Sequence, residues 1–267
     1  MQAVILAGGR GTRLAPYTTV LPKPLMPVGD MPILEILIRQ LQITGVTKVF
    51  VAVGHLASLI MAYFGKGEHV GMPIEYSFEP FPLGTAGPLS LIPKLDNTFL
   101  AMNGDLLTDL DFCAMLRAHR ETGAAATVGL YTRDVTIDLG VVETNACSQI
   151  THYSEKPVYH YQVSMGVYVF EPTVLRFIPR EMRLDMPDLV RKLIEAGEHV
   201  IGYHHSGYWL DIGRPDDYQT AQDDFERMSS TLLANSSMPS VHRQILLNDY
   251  ACISPAVPTN GRMQKSA

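Results

Sequence analysis

The order of the amino acids predicts an α/β fold: a mostly parallel sheet flanked by helices. Apolar runs of strand length at residues 3–7 and 49–53 alternate with helix-period segments at 33–44 and 56–64, and that order implies parallel strands joined by helical crossovers. Size is the second observation. A chain of 267 residues that is 46% hydrophobic can bury a sizeable core, yet it is short enough for one large domain.

Taken in order, the first strand, 3–7, runs into a glycine-rich turn. In the first helix Leu34, Leu37, Ile38 and Leu41 fall on one face, Pro32 sits near the start, and Gly45 stands where a C-cap glycine is expected. A strand over 48–53 follows after a short loop, then the helix over 56–64. Further strands are predicted at 74–78, 98–102, 124–131, 140–143 and 163–170, and helices at 112–121, 187–196 and 215–228. From Ser229 the composition turns to Ser, Asn, Pro and Thr. The expected division is therefore a folded domain over 1–228 and a tail over 229–267 that is loosely packed or partly disordered. Residues 245–257 have the makings of one β-helix turn, which cannot bury its own face.

The net charge of −6 and pI near 5.8 lack the basic excess that binding to nucleic acid or an anionic membrane requires, so neither is expected as a partner. Cys113, Cys147 and Cys252 form neither a CxxC pair nor a dense disulfide pattern, which suits a reducing cytosol and a packing role. The apolar run at 3–7 is too brief for a signal peptide and no later segment approaches a membrane span, so a soluble cytoplasmic protein is expected.

Chemistry concentrates first in Leu6-Ala7-Gly8-Gly9-Arg10-Gly11-Thr12-Arg13-Leu14. Glycines without Cβ atoms let backbone N–H groups approach a polyphosphate, and two arginines add charge-assisted donors. A dinucleotide-binding turn is excluded because Leu14 stands where its third glycine belongs and no acid follows Val53-Gly54. A P-loop is excluded because no Gly-Lys-Ser/Thr follows. Leu21-Pro22-Lys23-Pro24-Leu25 then holds a lysine between two prolines that stiffen the backbone around it.

The stretch from Leu6 to Ile33, LAGGRGTRLAPYTTVLPKPLMPVGDMPI, resembles the opening motif of the sugar-phosphate nucleotidyltransferases. The likeness continues to about Ala221 through Glu79-Pro80-Phe81-Pro82-Leu83-Gly84-Thr85-Ala86-Gly87-Pro88-Leu89, Asn103-Gly104-Asp105, Glu155-Lys156-Pro157 and Gly207-Tyr208-Trp209-Leu210-Asp211-Ile212-Gly213. One such tripeptide is weak, whereas five motifs in order are specific. The resemblance implies a Rossmann-like, mostly parallel sheet of the nucleotide-diphospho-sugar transferase type with a small sugar-binding subregion. It also implies condensation of a nucleoside triphosphate with a sugar 1-phosphate to an NDP-sugar and pyrophosphate.

By the same resemblance Leu6, Ala7, Gly8, Gly9, Gly11, Thr12, Arg13, Lys23, Leu83, Gly84, Thr85 and Asn103 contact the nucleotide. Arg13, Lys23 and Asp105 are the implied catalytic residues, and Asp105 with Asp211 the implied Mg²⁺ ligands. Gly140, Glu155, Lys156, Ser164 and Gly166 are the implied sugar-phosphate residues. Leu139 replaces an aromatic residue common in the family and Ser164 replaces an asparagine, and both departures point away from an ordinary hexose acceptor.

The segments Pro82-Leu83-Gly84-Thr85-Ala86-Gly87-Pro88-Leu89 and Gly207-Tyr208-Trp209-Leu210-Asp211-Ile212-Gly213 most resemble the mannose-1-phosphate guanylyltransferase branch, which favours GTP. A heptose, deoxy-sugar or cyclitol phosphate stands beside mannose 1-phosphate as acceptor. Thymidylyl or uridylyl transfer to glucose 1-phosphate, and a non-catalytic regulatory subunit that binds nucleotide sugars, are the alternatives. The family resemblance leaves room for a homo-oligomer. His204-His205 lacks the spacing of a zinc site and is read as structural. Asp109-Leu110-Asp111 has the spacing of a glycosyltransferase DxD but is read as the cap of the helix near Phe112.

Overall fold

The computed structural model describes residues 1–233. The chain opens with β1 (Gln2–Ala7), three short 3-10 turns that carry the glycine and lysine motifs, and a two-strand ribbon, β2 (Pro27–Val28) and β3 (Met31–Pro32). Then come α1 (Ile33–Leu41), β4 (Lys48–Val53), α2 (Ala57–Phe64) and β5 (Ile74–Phe78). The middle of the chain supplies β6 (Phe99–Asn103), β7 (Leu106–Thr108), α3 (Phe112–Thr122), β8 (Ala126–Thr136), β9 (Val141–Thr144), β10 (Ile150–Ser154) and β11 (Val158–Phe170). The last described elements are α4 (Met186–Glu195), β12 (Val200–His205), β13 (Trp209–Asp211) and α5 (Pro215–Leu233).

The main sheet has seven strands in the order β12-β8-β11-β6-β1-β4-β5. All pairs are parallel except those made by β11, which runs antiparallel to both β6 and β8. Covered faces explain the apolar runs. Ala3, Ile5 and Ala7 of β1 meet Leu34, Leu37, Ile38 and Leu41 of α1, Ile60 and Phe64 of α2, and Met115 and Leu116 of α3. Val4, one residue out of phase, faces the opposite layer with Phe99, Ala101, Phe170, Leu189 and Leu193. Each fully buried side chain of this size contributes about 1.5–3 kcal/mol.

A third cluster positions the site. Leu14, Met26, Val28, Ile33 and Ile36 pack with Leu107, Ile212, Ala221 and Phe225, so α5 clamps the motif-bearing N-terminal turns to the β7–β13 ribbon. Gly29 has φ +61° and a Cβ there would lie 2.7 Å from the Phe225 ring, so the β2–β3 turn closes under α5 only with glycine.

Several boundaries differ from the sequence expectation for identifiable reasons. The first helix ends at Leu41 rather than 44, because a short turn precedes Gly45. β8 and β11 run on past the core as an exposed ribbon, reaching Thr136 and starting at Val158, and β10 pairs with β9 beside them. β12 was not expected, since Gly202 and two histidines interrupt its apolar pattern at the sheet edge. α5 continues through Ser229 to Leu233, held by Leu232, which is buried and whose carbonyl accepts a bond from Gln40 Nε2. The expectations for the rest of the tail, the 245–257 turn and Cys252 lie outside the described residues. No helix among the described residues is long and apolar enough to cross a membrane.

Candidate active site

Parallel strands β1, β4, β5 and β6 end on the same edge of the sheet, and the loops that leave β1, β5 and β6 there enclose a cavity of about 410 Å³. Leu6, Ala7, Gly8, Gly9, Gly11, Thr12, Arg13, Lys23, Gly84, Thr85, Asn103 and Asp105 line it. Of the residues expected at the nucleotide, only Leu83 does not; its side chain is wholly buried behind the wall. The glycine turn is tight because Gly11 has φ +61° and its carbonyl accepts a 2.8 Å bond from Thr18 Oγ1. Such a turn presents backbone rather than side chains to the cavity.

The Gly84-Thr85 wall of the cavity is fastened to the start of α4. Thr85 N–H donates to Asp185 Oδ1 at 3.1 Å, and Thr85 Oγ1 accepts from the Met186 N–H at 2.7 Å. Gly84 has φ +78°, and a Cβ there would come within 2.5 Å of Asp185 Oδ1. Glu79, which follows β5, also lines the cavity. Its Oε2 accepts the Leu83 N–H at 3.0 Å, while Oε1 faces Gly8, where a Cβ would lie 2.1 Å away. Burial pushes the Glu79 carboxyl pKa up, and the Leu83 hydrogen bond opposes the shift. The Glu79 motif was legible in the sequence, but not this role, because Gly8 and Glu79 meet only across two strands.

Strand register creates the charged centre. Asp211 of β13 pairs with Leu106 of β7, and Ile212 N–H donates to the Asp105 carbonyl at 3.1 Å, so the two aspartates become neighbours although far apart in sequence. Lys23 lies between them. Its ammonium, on a side chain only 9% exposed, ion-pairs with Asp105 Oδ2 and lies 3.9 Å from Asp211 Oδ1. Asp105 Oδ1 is buried with no hydrogen-bond partner. The Asp211 pKa is raised by burial first and by the Asp105 charge second, with Lys23 and Arg13 pulling it back.

An orphaned carboxylate oxygen beside a second carboxylate fits a hard divalent cation. No group of three or more His, Cys, Asp or Glu side chains gathers for a metal among the described residues. Two carboxylates suit Mg²⁺, which keeps several waters and takes substrate phosphates as its remaining ligands.

The expected sugar-phosphate residues divide. Gly166 has φ +72°, and a Cβ there would meet Asn103 Nδ2 at 2.5 Å, so this glycine abuts the cavity wall. Ser164 Oγ lies 3.0 Å from Tyr168 Oη. Gly140, Glu155 and Lys156 sit on the outward ribbon and line neither this cavity nor a second one of about 320 Å³. There Gly140 abuts Tyr153, whose hydroxyl donates to Glu155 Oε2 at 3.4 Å, and Lys156 is exposed at φ +47°. The second cavity contains Arg13, Tyr131, Arg133, Trp209, Asp211, Arg214 and Asp217. Arg133 and Arg214 carry no motif signal, and only the fold brings them together.

The remaining sequence candidates are structural. Asp111 Oδ1 caps α3 by accepting the Ala114 N–H at 2.9 Å. His205 Nε2 lies 3.0 Å from Asp109 Oδ1, which also accepts the Tyr208 N–H, so both fix the connection into β13.

Comparison with known proteins bears on the family and the fold. The nucleotidyl transferase family model matches residues 2–228. A UTP–glucose-1-phosphate uridylyltransferase from Synechocystis sp. is 36% identical over 83% of this chain and 62% of its own length. A mannose-1-phosphate guanylyltransferase from Mycobacterium tuberculosis is 33% identical over 96% of this chain and 72% of its own. The chain thus spans less than two thirds of the cyanobacterial relative. Among solved structures, HddC from Yersinia pseudotuberculosis superposes with a TM-score of 0.66 at 23% identity, covering 84% of this chain and 99% of that one, a likeness of fold.

Proposed function

This chain belongs to the nucleotidyl transferase family, and from that premise we propose that it condenses a nucleoside triphosphate with a sugar 1-phosphate and releases pyrophosphate. The observation that carries the reading is the convergence of Lys23, Asp105 and Asp211, the first two lining the glycine-walled cavity and the third adjoining Lys23. A phosphate oxygen of the acceptor attacks the α-phosphorus in line, and the transfer needs positioning and charge stabilisation rather than a protein nucleophile. Lys23, held low in the cavity by Asp105, lies beside the α-phosphate and offsets charge as it develops. Arg13 holds the departing β- and γ-phosphates, and backbone N–H groups of the glycine turn orient them. Mg²⁺ held by Asp105 and Asp211 would neutralise phosphate charge and template the two substrates.

GTP is the favoured donor. Glu79 is an acceptor-only group at the base end of the cavity, with Oε2 engaged by Leu83 N–H and Oε1 turned toward Gly8. Guanine presents two adjacent donors, N1–H and the 2-amino group, which a carboxylate matches, whereas uracil and thymine present carbonyl oxygens on both sides of a single N–H. The acceptor is mannose 1-phosphate or a related heptose, deoxy-sugar or cyclitol phosphate, the latter three suited by the departures at Leu139 and Ser164. The uridylyltransferase relative, at 36% identity, makes UTP with glucose 1-phosphate the second reading.

The test is incubation of the purified protein with Mg²⁺, each NTP in turn and a panel of sugar and cyclitol 1-phosphates, recording pyrophosphate release and product mass. Product from GTP and one acceptor supports the reading; product from UTP alone replaces the guanylyl assignment. Absence of product from every pair, with nucleotide sugars still bound, transfers the assignment to a regulatory subunit.

A further inference from the structure

The second cavity is lined by Asp211, whereas Asp105 lines the first, and the two share Arg13. Arg133 reaches it from the outward half of β8, and Arg214 from the turn into α5. None of these three guanidinium groups forms a salt bridge or donates a side-chain hydrogen bond among the described residues, whereas Arg39 and Arg227 lie against carboxylates. Asp217 and Asp211 are the carboxylates of the lining; Asp217 Oδ2 is turned to the Gly213 and Arg214 backbone N–H groups, at 3.1 and 2.7 Å, rather than to a guanidinium. The back wall is rigid: Trp209 Nε1 donates to the Met165 carbonyl at 3.0 Å, and its ring lies 5.2 Å from that of Tyr131.

Three guanidinium groups against the two carboxylates Asp211 and Asp217 leave this concavity with a positive excess, on a chain of net charge −6. None of the three is tied up in a salt bridge among the described residues, so they form a local anion trap. The fork of a guanidinium matches phosphate oxygens two at a time. We propose that this cavity is a phosphoryl-anion subsite in which Arg133 and Arg214 act with Arg13. The inference rests on the transferase reading only for the source of the anion, which is either the leaving pyrophosphate or the phosphate of the acceptor.

Inorganic pyrophosphate and mannose 1-phosphate are titrated calorimetrically, with Mg²⁺ present, into the parent protein, Arg133→Gln and Arg214→Gln. The emission of Trp209, the chain's only tryptophan, is followed in parallel and reports binding at this wall. Loss of one charge-assisted contact corresponds to about a tenfold weaker affinity or more in each variant. GMP, as a probe of the base end, should bind all three proteins within about threefold. Weakening confined to pyrophosphate identifies the leaving-group subsite, and weakening confined to mannose 1-phosphate identifies the acceptor's phosphate; either supports the proposal. Variants that melt like the parent and bind both anions as tightly overturn it, as does a parent protein that binds neither. If no NTP and acceptor pair gives product yet arginine-dependent pyrophosphate binding persists, the transferase reading falls and the subsite stands.

Discussion

Asp105 gives one carboxylate oxygen to Lys23 and keeps the other buried without a donor, an arrangement that costs stability unless a cation completes it. Asp105→Asn removes the charge that holds Lys23 and replaces one oxygen by an NH₂ that repels a cation. The expected outcome is a loss of about a hundredfold or more in kcat, with circular dichroism unchanged. Near-normal turnover in the folded variant would remove Asp105 from the metal role. Glu79 tests the base in the same way. In Glu79→Gln one carboxylate oxygen becomes an NH₂, so the two adjacent donors of guanine no longer find two acceptors, and KM for GTP should rise about tenfold or more while that for UTP should change less. Equal changes for both nucleotides would take Glu79 out of base selection.

At the scale of elements, α3 is tied to the sheet through His119, whose Nδ1 lies 2.7 Å from Thr127 Oγ1 of β8 and whose Nε2 lies 3.2 Å from Glu171 Oε1 just after β11. Burial lowers the His119 pKa, and the attraction of Glu171, which pulls it up, is the smaller effect. The folded imidazole therefore binds a proton less readily than the unfolded one, whose pKa is near 6.5. Stability from this group is intact above pH 6.5 and declines as pH falls through that value toward the lowered folded pKa, because the unfolded chain takes up the proton first. Thermal melts between about pH 7.5 and 5.5 should show the decline, and His119→Gln should flatten it. Parallel slopes in both proteins would assign the pH dependence elsewhere. The same scale marks what the sequence could reveal. Strands such as Val49 to Val53 and the stripe Leu34, Leu37, Ile38, Leu41 were legible because burial imposes a local period. β12 was not, because Gly202, His204 and His205 break the period at an edge where one parallel partner holds the strand. The glycine and Pro-Lys-Pro turns were legible as contiguous motifs, but the meeting of Gly8 with Glu79, and of Arg13 with Arg133 and Arg214, arises from strand order and has no local signature.

Across the whole molecule, the cavity proposed to take the nucleotide is assembled from four separated stretches: the glycine turn after β1, Lys23-Pro24, the segment from Glu79 to Pro88, and Asn103-Gly104-Asp105. These stretches hang on different layers. The third cluster holds the N-terminal turns to α5, and Thr85 and Gly84 are fastened to the start of α4 on the opposite face. A ligand that spans the cavity therefore bridges parts that separate on unfolding, and it stabilises the fold by mass action alone. At a hundred times its Kd the gain is about 2.7 kcal/mol. Each kcal/mol moves Tm by about 2–4 °C in a domain near this size, so the expected rise is about 5–11 °C. With Mg²⁺ and equal NTP concentrations, GTP should raise Tm more than UTP or dTTP, because only guanine presents paired donors to Glu79. The advantage of GTP should disappear in Glu79→Gln while the common rise from the triphosphate persists. Equal shifts for all three nucleotides in the parent protein would sink the guanine assignment and leave the triphosphate site, whereas no shift from any of them would show that the cavity does not hold a nucleotide.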